Sequence, residues 1–207
     1  MSLLHVVGIG PGSRDYLIPK AVDTVNNAQV LVGGKRALAL FPEHRGEKMV
    51  ITGDLPKVIA FIRSNLHKEI AVLVSGDPGF HSLLPIIRKS FPSERIQVIP
   101  GISSVQLAYA RLALPWQDAT LLSLHGKELS ILKEYLTAPN LALLTDPVNS
   151  PSQIAAYWLE NGGTDCTVYL CEHLSYEDEN VQPYLMSALA NQQKTTPCVM
   201  VIKNEQA

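Results

Sequence analysis

The sequence contains no run of basic residues. Lysine and arginine never occur more than two in succession, and the 17 of them are offset by 19 acidic residues for a net charge of −2. That balance leaves no electrostatic footprint for nucleic acid, and no nucleic-acid partner is expected. No apolar stretch approaches the roughly 20 residues of a membrane span. The opening MSLLHVVGIG lacks the charged segment and long apolar stretch of a signal peptide. No membrane association is expected, and the expected location is cytoplasmic. Cysteine is scarce: Cys166, Cys171 and Cys198 all fall in the last quarter, with neither CxxC nor zinc-finger spacing. They read as reduced, packed thiols. The six histidines, at 5, 44, 67, 81, 125 and 173, form no HExxH or similar set, so no metal is expected. No GxSxG elbow is present, which removes the commonest sign of a serine nucleophile. Charged residues make up only 17% against 46% hydrophobic, so 207 residues can bury one large core or two small ones.

What the chain does have is a repeated strand-then-glycine pattern. Its clearest instance is IAVLVSGDPGFHSLL at 70–84, where a β-branched run breaks into Ser75-Gly76-Asp77-Pro78-Gly79 and resumes at helical spacing. Strand, glycine-rich turn and helix in that order place the turn at the carboxyl end of a strand, where open α/β sheets hold ligands. The same pattern occurs at Gly8-Ile9-Gly10-Pro11-Gly12 after a strand over 3–7, and at Pro100-Gly101-Ile102-Ser103-Ser104 after a strand over 96–99. Neither GxGxxG register is completed, since Ser13 and Asp15 stand where glycine is required. The strand at 29–32 ends in Gly33-Gly34, not in an acid that would hold a ribose, and Gly34-Lys35-Arg36 is no Walker motif.

Between these turns the patterning predicts helices over 19–27, 34–41, 54–66, 80–89 and 105–112, and a strand over 48–51. Asp54 serves as an N-cap. Leu114-Pro115-Trp116 reads as a hinge, after which the alternation restarts. Strands are expected at 119–124, 141–145, 167–172 and 198–203, with helices at 128–136, 151–161 and 181–192. Two α/β domains follow: residues 1–115 with a mainly parallel sheet, and 116–207 with a mixed one. His125 ends a strand before Gly126 and is the most interesting histidine. His81 follows the 75–80 turn. Asp77 alone reads as a turn-stabilising carboxylate. Glu172 to Glu179 (EHLSYEDE) reads as a solvated acidic loop.

GIGPG at 8–12, SGDPGF at 75–80 and PGISS at 100–104 match, in identity, order and spacing, those of the tetrapyrrole methylases, which the chain resembles over essentially its whole length. VGGKRAL at 32–38, LHGK at 124–127, LTDPVNSP at 144–151 and EHLSYEDE at 172–179 are similar to the branch that methylates C5 of a precorrin-7 corrinoid in cobalamin biosynthesis. His173 and Ala37 depart from the Asn and His common in that branch. The resemblance implies two α/β domains with a cofactor cleft between them, S-adenosyl-L-methionine as cofactor and S-adenosyl-L-homocysteine as product. It implies a corrinoid substrate and a homodimer. Because the sequence stops at residue 207, the decarboxylating C15 methylation found fused in some relatives is expected from a separate polypeptide.

The residues that the resemblance assigns to the cofactor are Gly10, Pro11, Ser75, Gly76, Asp77, Phe80, Ser103 and Ser104, with Leu144, Thr145 and Leu174 from the second domain. An activated sulfonium methyl needs alignment and water exclusion, not a covalent nucleophile. His125 is the nominee for proton handling or substrate contact. Arg36, and secondarily Lys35 and Lys127, are the cations available to the carboxylates on the substrate's rim. The rival readings are a sibling methylase acting at another corrin position, the related diphthamide or ribosomal RNA methylases, a nicotinamide oxidoreductase and a nucleotide-binding module.

Overall fold

The computed structural model describes residues 2–204. The chain divides into two units, residues 1–103 and 104–207. The first holds a five-stranded sheet of β1 (Leu4–Gly8), β2 (Val30–Gly33), β3 (Glu47–Val50), β4 (Ile70–Val74) and β5 (Ile96–Ile99). Its order is β3-β2-β4-β1-β5 and every pairing is parallel. The central strands are apolar because both faces are covered. On one face Val7, Leu31, Ala71 and Leu73 meet Ala21 and Val25 of α1 (Pro19–Asn27) and Leu38 of α2 (Lys35–Ala39). On the other face Leu4, Val6, Val30, Val32 and Val72 meet Val58 and Ile62 of α3 (Leu55–Ser64) and Ile87 of α4 (Leu84–Ser90). Each such buried Val, Leu or Ile side chain contributes roughly 1.5–3 kcal/mol. Parallel strands with short βα turns put all five carboxyl ends on one edge of this sheet.

The second unit starts with α5 (Ser104–Arg111). Its sheet comprises β6 (Thr120–Ser123), β7 (Asn140–Leu144), β8 (Thr167–Glu172), β9 (Asn180–Leu185) and β10 (Val199–Lys203), in the order β6-β7-β10-β8-β9. Only β6 and β7 pair in parallel; the rest are antiparallel. Leu141, Leu143, Val168, Leu170, Met200 and Ile202 pack against α6 (Pro151–Glu160) and α7 (Met186–Ala190) around the fully buried Trp158. Ser150 and Gln153 form a reciprocal capping box at the start of α6.

Several boundaries differ from the sequence-based expectation. The division of the chain falls before α5, not after Leu114-Pro115-Trp116. The reason is that α5 packs on β10 and its buried Tyr109 donates to Asn140 Oδ1 at 2.6 Å. Residues 181–185 are strand, not helix: β9 is an edge strand antiparallel to β8, where Pro183 is tolerated because its missing N–H can face outward. The helix expected from Phe80 starts at Leu84. Residues 80–83 instead form a turn with His81 at φ 48°, and Leu84 N–H donates to Ser82 Oγ. The segment 129–135 is a 3-10 helix. Asp54 does cap α3, accepting from Lys57 N–H at 3.1 Å. Among the described residues no helix is long and apolar enough to cross a membrane.

Candidate functional site

The three glycine-bearing turns of the first unit follow β1, β4 and β5, three adjacent strands, and they interlock through backbone. Gly10 and Gly76 exchange N–H···O bonds at 3.3 and 2.8 Å, both in the left-handed region (φ 74° and 67°). A Cβ on Gly101 would lie 2.3 Å from Gly76 O, and one on Gly8 would lie 2.6 Å from Gly101 N. These glycines are first of all what lets three strand-end loops pack against one another. Asp77 fastens the same loops. Its Oδ1 accepts Gly79 N–H at 2.7 Å within its own turn, and its Oδ2 accepts Gly101 N–H at 3.0 Å across to the next. The turn-stabilising role read from sequence is therefore present and reaches further, since the carboxylate ties two motifs together.

Around this knot the other nominated residues have distinct settings. Pro11 is half-buried in the first turn, and Ser75 is exposed at the end of β4 with no hydrogen bond to its hydroxyl among the described residues. Phe80 is half-buried, its N–H bonded to Asp77 O, its ring edge-on to His81 at 4.6 Å. Ser103 is buried immediately before α5, and Ser104 is the first residue of that helix. Lys35 and Arg36 open α2 beyond β2, the neighbour of β4, so they share the sheet edge of the knot. Both are exposed and neither has an ion-pair partner among the described residues. The three turns contain one carboxylate and no lysine or arginine. Backbone groups, the exposed Ser75 hydroxyl and the Asp77 carboxylate are the polar groups that these turns offer a ligand.

In the second unit the corresponding edge is held by side chains. Asp146, 5% exposed, accepts three backbone N–H groups: Asn149 at 2.6 Å and Val148 at 2.8 Å on Oδ1, and Gly126 at 2.8 Å on Oδ2. Those bonds, led by Asn149 and Gly126, hold its carboxyl below the usual aspartate range. Asn149 returns the tie, its amide donating to Leu124 O at 2.7 Å and Lys127 O at 2.8 Å. The LHGK loop and the TDPVNS loop are thereby one assembly. His125 is exposed on it, with Nδ1 4.0 Å from Asp146 Oδ2, and Lys127 is exposed beside it. Leu144 is half-buried at the end of β7. Thr145 is buried and already bonded: its N–H donates to Cys198 O, and its hydroxyl accepts Cys198 N–H at 2.7 Å. Its side chain is thus committed to joining β7 and β10.

Leu174 is buried in the turn after β8, flanked by His173 and Ser175 at φ 49° and 75°. Two non-glycine residues in the left-handed region cost roughly 1–2 kcal/mol each and need restraint. Glu179 restrains Ser175, accepting its N–H at 2.6 Å while pairing with Arg111, and Asp178 pairs with the His173 ring. The Arg111 guanidinium holds the Glu179 carboxyl below its usual range. The stretch 172–179 is therefore not simply a solvated acidic loop, because Glu172 is buried and accepts from Asn180 at 3.0 Å. Burial pushes the thiols of Cys171 and Cys198 up to about 12, so both are neutral packing groups, and all three cysteines are free. No metal-holding group of His, Cys, Asp and Glu occurs among the described residues.

Sequence reasoning missed Asp146 and Asn149 as the organisers of the second edge. The available signal was Asp146-Pro147-Val148-Asn149 directly after a strand, an Asx-type turn with a second amide in reach.

Residues 3–190 match the model of the tetrapyrrole (corrin/porphyrin) methylases. A probable cobalt-precorrin-7 C(5)-methyltransferase of Methanocaldococcus jannaschii is 36% identical over 196 residues, covering 91% of this chain and 92% of that protein. The cobalt-precorrin-7 C(5)-methyltransferase of Salmonella typhimurium is 33% identical over 187 residues, covering 90% and 92%. In fold, the chain superimposes on uroporphyrin-III C-methyl transferase from Thermus thermophilus, solved in complex with S-adenosylhomocysteine, with a TM-score of 0.78. That match has 20% identity and covers 98% of this chain and 92% of the other. With the family model spanning nearly the whole chain and the two-sheet architecture in place, the chain belongs to the tetrapyrrole methylases.

Proposed function

We propose that this chain transfers a methyl group from S-adenosyl-L-methionine to C5 of a precorrin-7-type corrinoid in cobalamin biosynthesis. The observation that carries the reading is identity of 33–36% along about nine-tenths of both partners to proteins named for that reaction. It is supported by the polar groups that the first unit's turns offer a ligand and by the homocysteine-form complex of the Thermus methylase.

When bound, S-adenosylmethionine supplies an activated methyl: its S–CH3 bond breaks as the C5–CH3 bond forms, leaving the neutral thioether and releasing one proton from the product. The chain's own residues have to bind, align and exclude water. In this reading Gly10, Pro11, Ser75, Gly76, Asp77, Phe80 and Ser103 hold the cofactor on the first unit, with Ser104 at the start of the second. Leu144, Thr145 and Leu174 contribute from the second. Thr145 does so through carbonyl or shape, since its N–H and hydroxyl are taken by Cys198. Arg36, Lys35 and Lys127 are free to meet substrate carboxylates. His125 is the exposed titratable group that meets the substrate or accepts the proton. The reading extends to a cytoplasmic homodimer and to a separate polypeptide for the decarboxylating C15 methylation.

The test is incubation with cobalt-precorrin-7 and methyl-labelled S-adenosylmethionine, with NMR location of the new methyl, beside calorimetry with S-adenosylhomocysteine. A methyl at C5 and saturable binding of the homocysteine form are expected. A methyl at another carbon refutes the C5 assignment, and no binding of the homocysteine form refutes the cofactor.

A further inference from the structure

The second unit presents an apolar tip that its own core does not use. Val148 is 76% exposed, the most exposed large apolar side chain among the described residues, and it follows the exposed Pro147. A single exposed valine is ordinary by itself; its setting is what matters. This one is in a loop fixed from below. Val148 N–H is bonded to Asp146 Oδ1, and the residues on either side of the Pro147-Val148 pair, Asp146 and Asn149, are each 5% exposed. The same carboxylate holds Gly126 N–H, so the apolar pair stands against the loop bearing His125 and Lys127. A fixed apolar knob tied to the loop that carries an imidazole and an ammonium matches one chemistry well: a flat apolar ring system with carboxylates on its rim. Such a ring gains from apolar contact at its face and from cations at its edge.

On this basis we infer that the joined loops 124–127 and 145–150 are the substrate-docking platform of the second unit. Val148 is the contact to the macrocycle, and Asp146 and Asn149 are the positioning residues that fix it relative to His125 and Lys127. The inference rests on the corrinoid reading above and deepens it by naming residues outside the family's glycine motifs. Asp146 touches no substrate in this account; it acts through the backbone of Val148, Asn149 and Gly126. Fixing the platform in advance removes the loop-ordering cost that binding would otherwise carry.

The experiment measures corrinoid binding by equilibrium dialysis and S-adenosylhomocysteine binding by calorimetry on the full chain. The proteins compared are wild type, Val148→Ser, Val148→Leu, Asp146→Asn and Asn149→Ala, with KM and kcat for methyl transfer alongside. Val148→Ser sits on an exposed side chain and folds normally. It is expected to weaken corrinoid binding and raise KM about tenfold, with kcat and homocysteine-form binding within twofold. Val148→Leu restores binding. Asp146→Asn and Asn149→Ala raise KM in the same way while circular dichroism stays native. Unchanged corrinoid binding in Val148→Ser, or equal loss for corrinoid and the homocysteine form, overturns the inference. If the variants weaken corrinoid binding as expected but wild type transfers no methyl, the platform stands and the methylation reading falls. If wild type binds no corrinoid, both fall.

Discussion

Each sheet ends its strands in loops tied by an aspartate, yet the two ties divide the load differently. Asp77 is half-buried and accepts two backbone N–H groups, at 2.7 and 3.0 Å, in a knot where glycine backbones already touch. Asp146 is 5% exposed and accepts three, and the one glycine in its assembly, Gly126, has nothing within 4 Å of where a Cβ would lie. Closure on the parallel sheet is therefore a packing problem solved by deleting side chains. Closure on the mixed sheet is a hydrogen-bonding problem solved by adding a carboxylate and an amide. The loops of the first unit follow three strands that run side by side, so their backbones meet directly. The loops of the second bridge parallel β6 and β7 with a side-chain tie between them.

The sharpest way to break this contrast is one substitution made on both sides. Gly101→Ala drives a methyl to 2.3 Å from a backbone oxygen that has no room to retreat. It should destabilise the first unit by about 3 kcal/mol and abolish measurable binding of S-adenosylhomocysteine. Gly126→Ala meets no atom and carries only the left-handed backbone penalty at φ 65°, about 1 kcal/mol. Urea denaturation and calorimetry on the pair give the comparison. Equal losses would mean that the glycines of the first unit are not there for packing.

Next in size is Asp146→Asn, expected to cost about 2 kcal/mol, because a buried charge-assisted network loses an acceptor and turns an amide toward Gly126 N–H. The pH dependence has a definite sign. A carboxyl whose folded pKa is depressed contributes stability above its unfolded pKa, and that contribution is lost as pH falls through the folded value. The wild-type advantage over Asp146→Asn should be full at neutral pH and shrink in acid, below the ordinary aspartate range of about 3.9. An advantage constant from neutral pH into that acid range would show that the charge of Asp146 is not what holds the loops. Asp77→Ala is expected to be milder, about 1 kcal/mol. Packing still closes its knot, but the Gly101 link is gone, and affinity for S-adenosylhomocysteine should drop about tenfold by calorimetry. Unchanged affinity would leave Asp77 as turn chemistry alone.

This division explains what was legible in the sequence. β4 and α1 could be read closely because buried parallel strands are apolar runs and Pro19 marks a first turn. The glycine motifs announced the first unit's edge because packing by deletion leaves glycine at fixed positions. Asp146 and Asn149 left no comparable mark. Beyond the local turn to Val148 and Asn149, the partners that join the two loops are backbone groups about 20 residues or more away, on Gly126, Leu124 and Lys127, and an aspartate in a turn after a strand looks the same whether or not it reaches them. β9 was hidden for a related reason: its pairing with β8 is tertiary, and Val181-Gln182-Pro183-Tyr184 has no helical or strand period of its own. The pairing of Glu179 with Arg111, which fixes the carboxylate that holds Ser175, likewise exists only in three dimensions.

The smallest expected effect on stability separates substrate from cofactor on the first unit's edge. Arg36 is exposed on α2 and free of ion-pair partners among the described residues, so Arg36→Ala should change stability by no more than about 0.5 kcal/mol. Its guanidinium can grip a carboxylate bidentately, which the point charge of Lys35 cannot. Loss of that fork should raise KM for the corrinoid about tenfold while leaving the dissociation constant for S-adenosylhomocysteine unchanged. Arg36→Lys should recover part of the loss by restoring charge without geometry. If Arg36→Ala weakens both ligands equally, Arg36 is not a substrate contact. If it weakens neither, recognition of the rim rests on the second unit, where Lys127 and His125 stand on the Asp146 assembly.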